Sequence, residues 1–325
     1  MSGFKRPTER HLMLFSGRTY PEFSEEVASI LNTSLVKTRL ITYANSEIYV
    51  RFEESVRGSD AFVLQNHAAP VNESIMEQLI MVDALKRASA KRITAVMPCY
   101  PYARQDKKHL GREPISARLI ADLFYTAGAD RIMSVDLHAS QIQGFFDGPL
   151  DHLSGLPVLC EYVERHYDTT NITVVSPDAG RVRLADSWAD ELHAPLAIIH
   201  KRHDPNHANL VEVHEVVGNV KGRLCLLVDD MIDTAGTICQ AANALLEHGA
   251  QGVIAATTHP IFSGPAVERL NSTPFQEIIV TNTVPVSCKD QINNLTVLSI
   301  APLVAQAIRE VFEDGSVTSL FTPKH

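Results

Sequence analysis

The run Leu224–Thr237, L-C-L-L-V-D-D-M-I-D-T-A-G-T, gathers residue types able to hold a phosphorylated sugar. Asp229 and Asp230 follow five apolar residues, Leu224 to Val228. Adjacent carboxylates at the end of a buried strand can accept hydrogen bonds from neighbouring hydroxyls, and the 2- and 3-hydroxyls of a ribose are such a pair. Asp233, Thr234, Ala235, Gly236 and Thr237 then open a helix-like segment. A helix start offers unpaired N–H groups and the positive end of its dipole to an anion, so a 5-phosphate belongs there. Each residue alone has a duller explanation, with Asp233 or Thr234 as a helix cap and the Asp pair solvated in a loop. The whole arrangement is far less common than its parts. Asp136 and His138 form a second candidate group, two apart after the apolar run Ile132–Val135. They would project to one side if extended geometry continues. Two basic stretches, Arg104 with Lys107, Lys108 and Arg112, and Lys201-Arg202-His203, read on their own as solvated loops that could contact phosphate.

The elements that must position these groups follow an α/β pattern. Short apolar runs alternate with longer amphipathic ones, the signature of β-α units and a mainly parallel sheet. Strands are expected at Leu12–Phe15, Ala61–Gln65, Ile93–Met97, Ile132–Val135, Ile172–Val175, Leu196–Ile199, Leu224–Val228, Val253–Thr257 and Glu277–Thr281. Most are almost wholly apolar, as strands covered on both faces should be. After Asp233, Ile238, Ala241, Ala242, Leu245 and Leu246 recur at helical spacing and Gly249 supplies a stop. In open α/β sheets ligands bind at the carboxyl ends of strands, where the candidate groups fall. At 325 residues two domains are expected. The turn formers of Gly148–Gly155 mark the boundary, and a final helix over Ala301–Glu313 is expected to cross back to the first half.

Composition excludes several classes. A formal charge of −9 opposes general nucleic-acid binding. The five cysteines are scattered without a C-x-x-C pair, so neither a disulfide framework nor a thiolate zinc site is indicated. Leu12–Phe15 is too short for a signal-peptide core, and no apolar run approaches the roughly 18 residues of a membrane span. A cytoplasmic protein with no membrane role is expected.

V-D-D-M-I-D-T-A-G-T resembles the phosphoribosyl pyrophosphate loop of type I phosphoribosyltransferases. Over nearly its full length the chain resembles the ribose-phosphate pyrophosphokinase family, class I bacterial type. The motifs that carry this are F-S-G at Phe15–Gly17, E-S-V-R-G at Glu54–Gly58, Y-A-R-Q-D-K-K at Tyr102–Lys108, D-L-H-A-S-Q-I-Q-G-F-F-D at Asp136–Asp147 and T-N-T-V-P at Thr281–Pro285. The resemblance implies an α/β fold of two tandem phosphoribosyltransferase-like domains, each a mainly parallel sheet flanked by helices. Residues 1–150 would form the first, with a final helix within 301–325 packing back on it, and residues 151–300 the second.

It also implies Mg²⁺-dependent transfer of the diphosphoryl group of ATP to the C1 hydroxyl of ribose 5-phosphate. The products would be AMP and phosphoribosyl pyrophosphate, for nucleotide, histidine and tryptophan biosynthesis. ATP would be held without a Walker loop, by Asn45, Ser46, Glu47, Arg104 and Gln105. Ribose 5-phosphate would be held by Asp229, Asp230, Asp233, Thr234, Ala235, Gly236 and Thr237. His138 and Asp178 would be associated with Mg²⁺, and Lys201 would be catalytic. Ser55, Arg57 and the segment Ser316–Phe321 would contribute to a regulatory site for phosphate and ADP, and the chain would form a homo-oligomer, a hexamer by resemblance.

The chain departs from the family at His203, where arginine is usual. Imidazole makes no bidentate contact and is largely neutral at neutral pH. Arg202 or a protonated His203 is expected to substitute, with turnover falling as pH rises above the His203 pKa. Two rivals share parts of the pattern. A salvage phosphoribosyltransferase would share the loop but lack the first-half motifs, and a silent regulatory homologue would be expected to lose groups such as Lys201, His138 and Asp178.

Overall fold

In the computed structural model, residues 10–203 and 212–320 are described, without the side chains of Lys201–His203, 212–214 and Ser319. The chain divides into two compact units, Met1–Leu153 with Ala301–His325, and Ser154–Ile300.

In the first unit the parallel sheet comprises β1 (Leu12–Ser16), β4 (Asp60–Leu64), β5 (Arg92–Val96), β6 (Arg131–Val135) and β7 (Leu150–Leu153), in that spatial order. A separate antiparallel hairpin of β2 (Thr38–Thr42) and β3 (Ile48–Phe52) lies between β1 and β4 in sequence. The helices are α1 (Pro21–Ile30), α2 (Val71–Arg87) and α3 (Ser116–Ala127). β4 is buried at every position, which is why it is apolar beyond its first residue. α3 stops at Gly128, whose φ of 115° is a left-handed conformation that an L side chain rarely adopts. The last helix, α8 (Ala301–Phe312), packs against α1 and β7 of this unit.

The second unit runs α4 (Leu156–His166), β8 (Ile172–Ser176), α5 (Val182–Glu191), β9 (Leu196–His203), β10 (Glu212–Val217), β11 (Leu224–Ile232), α6 (Gly236–Glu247), β12 (Gly252–Pro260), α7 (Ala266–Ser272), β13 (Glu277–Thr281) and β14 (Leu295–Leu298). Its sheet has the order β10-β9-β8-β11-β12-β13-β14, parallel except for the β9–β10 hairpin. β11 is central, and its alternate side chains serve two cores. Cys225 and Leu227 pack with Ile238, Ala242 and Leu245 of α6, whereas Leu226 and Val228 pack with Leu159 and Trp188 of α4 and α5. Burial on both faces accounts for the unbroken apolar run that ends at the two aspartates.

Three local expectations are corrected. β11 continues through Asp229 and Asp230 to Ile232, so the aspartates lie within the strand's last residues rather than after it. The helix opens at Gly236, behind Ala235 in a left-handed conformation of φ 59°, and no side chain caps it. The turn-former stretch Gly148–Gly155 contains β7, whose register Ile132↔Leu150 to Val135↔Leu153 completes the first sheet. Among the described residues no helix is long and apolar enough to cross a membrane.

Candidate active site

β11 carries the site because it is flanked on both sides. It pairs with β8 through Leu227↔Val175 and with β12 through Asp229↔Thr257 and Met231↔His259. Asp229 and Asp230 are thereby fixed at the carboxyl end of a central strand, with side chains only 16% and 5% exposed. Burial, with the neighbouring Asp230 charge, pushes the Asp229 carboxyl well above the usual carboxylate range, while Arg181 pulls against that rise. Arg181 reaches both acids, with Nε 3.0 Å from Asp229 Oδ1 and Nη2 3.0 Å from Asp230 Oδ1. Arg181 is not among the residues that the sequence pattern singles out. Its only local sign is its place in S-P-D-A-G-R, three residues after Asp178.

The turn between β11 and α6 is held from behind. Phe262 N–H donates to Ile232 O at 3.0 Å and Ser263 N–H to Asp233 O at 2.9 Å. Arg269 Nη1 of α7 donates to the Thr234 carbonyl at 2.9 Å. The first intrahelical bond at this end of α6 runs from Cys239 N–H to Ala235 O at 3.1 Å, so the amides of Gly236, Thr237 and Ile238 precede it. Asp229, Asp230, Asp233, Thr234, Ala235, Gly236 and Thr237 therefore share one strand-turn-helix unit. It presents two carboxylates, then backbone amides at the positive end of a helix dipole.

Asp178 lies in the turn after β8, the strand that pairs with β11. Its Oδ1 accepts from Gly180 N–H at 2.8 Å and Arg181 N–H at 3.1 Å, which leaves Oδ2 without a hydrogen-bond partner among the described residues. No three His, Cys, Asp or Glu side chains gather into a metal cluster among those residues. An available carboxylate oxygen suits Mg²⁺, which takes one or two carboxylates and fills its remaining positions with water and phosphate oxygens. Lys201 lies in the backbone of β9, opposite His214 of β10. The side chains of Lys201, Arg202 and His203 lie outside the described residues.

The remaining candidates lie on separate loops of the first unit. Asn45, Ser46 and Glu47 form the exposed tip of the β2–β3 hairpin. Asn45 Oδ1 accepts from Glu47 N–H at 3.2 Å, and Ser46 adopts φ 70°. Arg104 and Gln105 are exposed in the loop after β5, where Ser116 Oγ donates to Gln105 Oε1 at 2.6 Å and ties the loop to α3. His138 follows β6, but Asp136 has φ 37°, so the extended path on which a shared face was expected does not continue. Beneath these loops Gln65 donates to Glu77 at 3.0 Å, and Glu77 accepts from Arg18 N–H at 2.7 Å. Beside them the buried His67 ring meets Ser74 at 3.0 Å and Gln78 at 2.9 Å. Burial holds its pKa down at about 4.

Comparison with known proteins decides the family. Residues 12–128 match the profile of the N-terminal domain of ribose phosphate pyrophosphokinase, and residues 212–322 that of the phosphoribosyl synthetase-associated domain. The chain is 62% identical over 321 residues to ribose-phosphate pyrophosphokinase of Streptomyces coelicolor, covering 99% of each chain. The chain belongs to the ribose-phosphate pyrophosphokinase family. It is also 60% identical to the Mycobacterium tuberculosis member over 313 residues, 96% of each chain. The crystal structure of phosphoribosylpyrophosphate synthetase from Mycobacterium smegmatis superposes with a TM-score of 0.89 at 57% identity, covering 94% of this chain and all of that one. The mainly parallel α/β architecture is thus that of the pyrophosphokinase family, and the chain is a transferase of that family.

Proposed function

We propose that the chain transfers the diphosphoryl group of ATP to the C1 hydroxyl of ribose 5-phosphate, releasing AMP and phosphoribosyl pyrophosphate. The observation that carries the reading is the β11–α6 unit, two buried carboxylates followed by free helix amides, in a chain that matches pyrophosphokinases from end to end. Asp229 and Asp230 accept hydrogen bonds from the 2- and 3-hydroxyls. The turn Asp233–Thr237 and the first amides of α6 take the 5-phosphate. With sugar and phosphate held, the C1 hydroxyl is the free nucleophile.

Asn45, Ser46, Glu47, Arg104 and Gln105 hold ATP in this reading. Lys201 neutralises the charge that grows on the transferred group, a role in which positioned charge does most of the catalytic work. Asp178 and His138 would hold Mg²⁺. When bound it supplies charge neutralisation at the phosphate oxygens. Arg202 or a protonated His203 supplies the cation that the family usually places beside the lysine. Ser55, Arg57 and Ser316–Phe321 complete a regulatory site for phosphate and ADP; Phe321 lies outside the described residues. Assembly as a homo-oligomer, a hexamer by resemblance, and a cytoplasmic place belong to the same reading.

Incubation with ATP, Mg²⁺ and ribose 5-phosphate tests it. AMP and phosphoribosyl pyrophosphate should appear in equal amounts. ADP in place of AMP would mean ordinary kinase chemistry, and an unchanged nucleotide pool would mean a silent homologue.

A further inference from the structure

A strand normally turns consecutive side chains to opposite faces, and two neighbouring buried carboxylates repel each other. Both facts work against Asp229 and Asp230 acting together on one sugar. The structure answers both with one side chain. Arg181 enters from the start of α5 and divides its guanidinium between the acids, Nε 3.0 Å from Asp229 Oδ1 and Nη2 3.0 Å from Asp230 Oδ1. The guanidinium thus stands at ion-pair distance from both carboxylates at once. We propose that Arg181 is a positioning residue for ribose 5-phosphate, bridging Asp229 and Asp230 so that both carboxylates converge on the sugar's 2- and 3-hydroxyls.

The proposal rests on the reading of Asp229 and Asp230 as the acceptors of those hydroxyls. Arg181 does not touch the sugar; it acts through the acids. Each carboxylate has two oxygens with about four acceptor sites, so a guanidinium on one oxygen leaves acceptors for a hydroxyl. The contact with Arg181 runs through Oδ1 of each acid. The same residue donates its backbone N–H to Asp178 Oδ1 at 3.1 Å. One residue therefore joins the carboxylate pair to the carboxylate proposed for Mg²⁺. Lysine could keep the charge but not the two-pronged contact.

The test is binding and kinetics of the full-length protein. Ribose 5-phosphate affinity is measured by calorimetry without ATP for the wild type, R181M, R181K and the double variant D229N/D230N, and KM for each substrate is measured in the steady state. The expected order of ribose 5-phosphate KM is wild type, then R181K, then R181M. The R181M value should rise about tenfold or more, the order expected when hydrogen bonds to charged groups lose their geometry. KM for ATP should stay within about twofold, since a merely structural defect would move both constants together. Where R181M folds poorly, the charge-retaining R181K still reports the loss of bridging.

Weak binding by D229N/D230N with wild-type binding by R181M would overturn the role of Arg181 and leave the reading of the acids intact. Wild-type binding by D229N/D230N would overturn both. A parallel rise of both KM values in R181M and R181K would also overturn the proposal.

Discussion

Substituting Gly17 by alanine should destabilise the first unit, and the size of the effect follows from one close approach. Gly17 ends the F-S-G motif, and its N–H donates to Leu64 O at 2.9 Å, extending the β1–β4 pairing. A Cβ placed on Gly17 would lie 2.2 Å from Gln65 Oε1, 2.4 Å from Cδ and 2.5 Å from Nε2. A flexible side chain could swing aside, but Gln65 is 1% exposed and tied down. Its amide nitrogen donates to Ser74 O at 3.3 Å and to Glu77 at 3.0 Å, and Glu77 in turn anchors Arg18. The methyl must therefore push the amide off its partners. Overpacking costs about 1–3 kcal/mol. Leaving a buried polar group unsatisfied adds about 1–3 kcal/mol. Together they predict a loss of about 2–6 kcal/mol for G17A, read as a lower urea midpoint with an unchanged slope. The control is a double-mutant cycle with Q65A, which opens the space. In the Q65A background the added methyl should cost well under half as much. An equal cost in both backgrounds would refute the steric argument and point to backbone conformation at Gly17 instead.

Three further outcomes are expected. Burial holds His67 neutral down to about pH 4, whereas the unfolded side chain titrates near 6.5. His67 therefore contributes about 3 kcal/mol above pH 6.5 that is lost as pH falls toward 4; denaturant titrations of the wild type and H67Q should show a shallower pH slope in the variant. Asp229 binds its proton more tightly folded than unfolded, so it adds stability at low pH and subtracts it as pH rises through its folded pKa. D229N should raise Tm at pH 8, with the gain shrinking toward pH 4, yet raise the ribose 5-phosphate KM about tenfold; a lower Tm at pH 8 would contradict this. Chelation of Mg²⁺ should stop AMP release and added Mg²⁺ should restore it, as a coupled AMP assay would record.

Legibility in the sequence followed burial. The β11 run was readable because both faces are covered by α4, α5 and α6, leaving no polar residue to interrupt it. β2 and β3 gave no such run, since none of their residues is fully buried and Arg39, Arg51, Thr38 and Thr42 interrupt the apolar ones. β7 was masked by the turn formers around Leu150–Leu153, and the start of α6 by Ala235, a left-handed residue with none of the usual glycine signal. The carboxylate pair and the following turn were visible as a local pattern. Arg181 was not, because its link to Asp229 and Asp230 is made across the β8–β11 pairing and leaves no sequence spacing behind.

The central claim is that this chain moves two phosphoryl groups together onto ribose 5-phosphate held at Leu224–Thr237. ATP labelled at the β-phosphorus tests it most directly, with the label followed after reaction with ribose 5-phosphate and Mg²⁺. The account predicts that the label is recovered in phosphoribosyl pyrophosphate, with unlabelled AMP as the partner product, and that D229N/D230N slows its transfer. Label recovered in ADP, with the sugar gaining one unlabelled phosphoryl group and so becoming a bisphosphate, would contradict it.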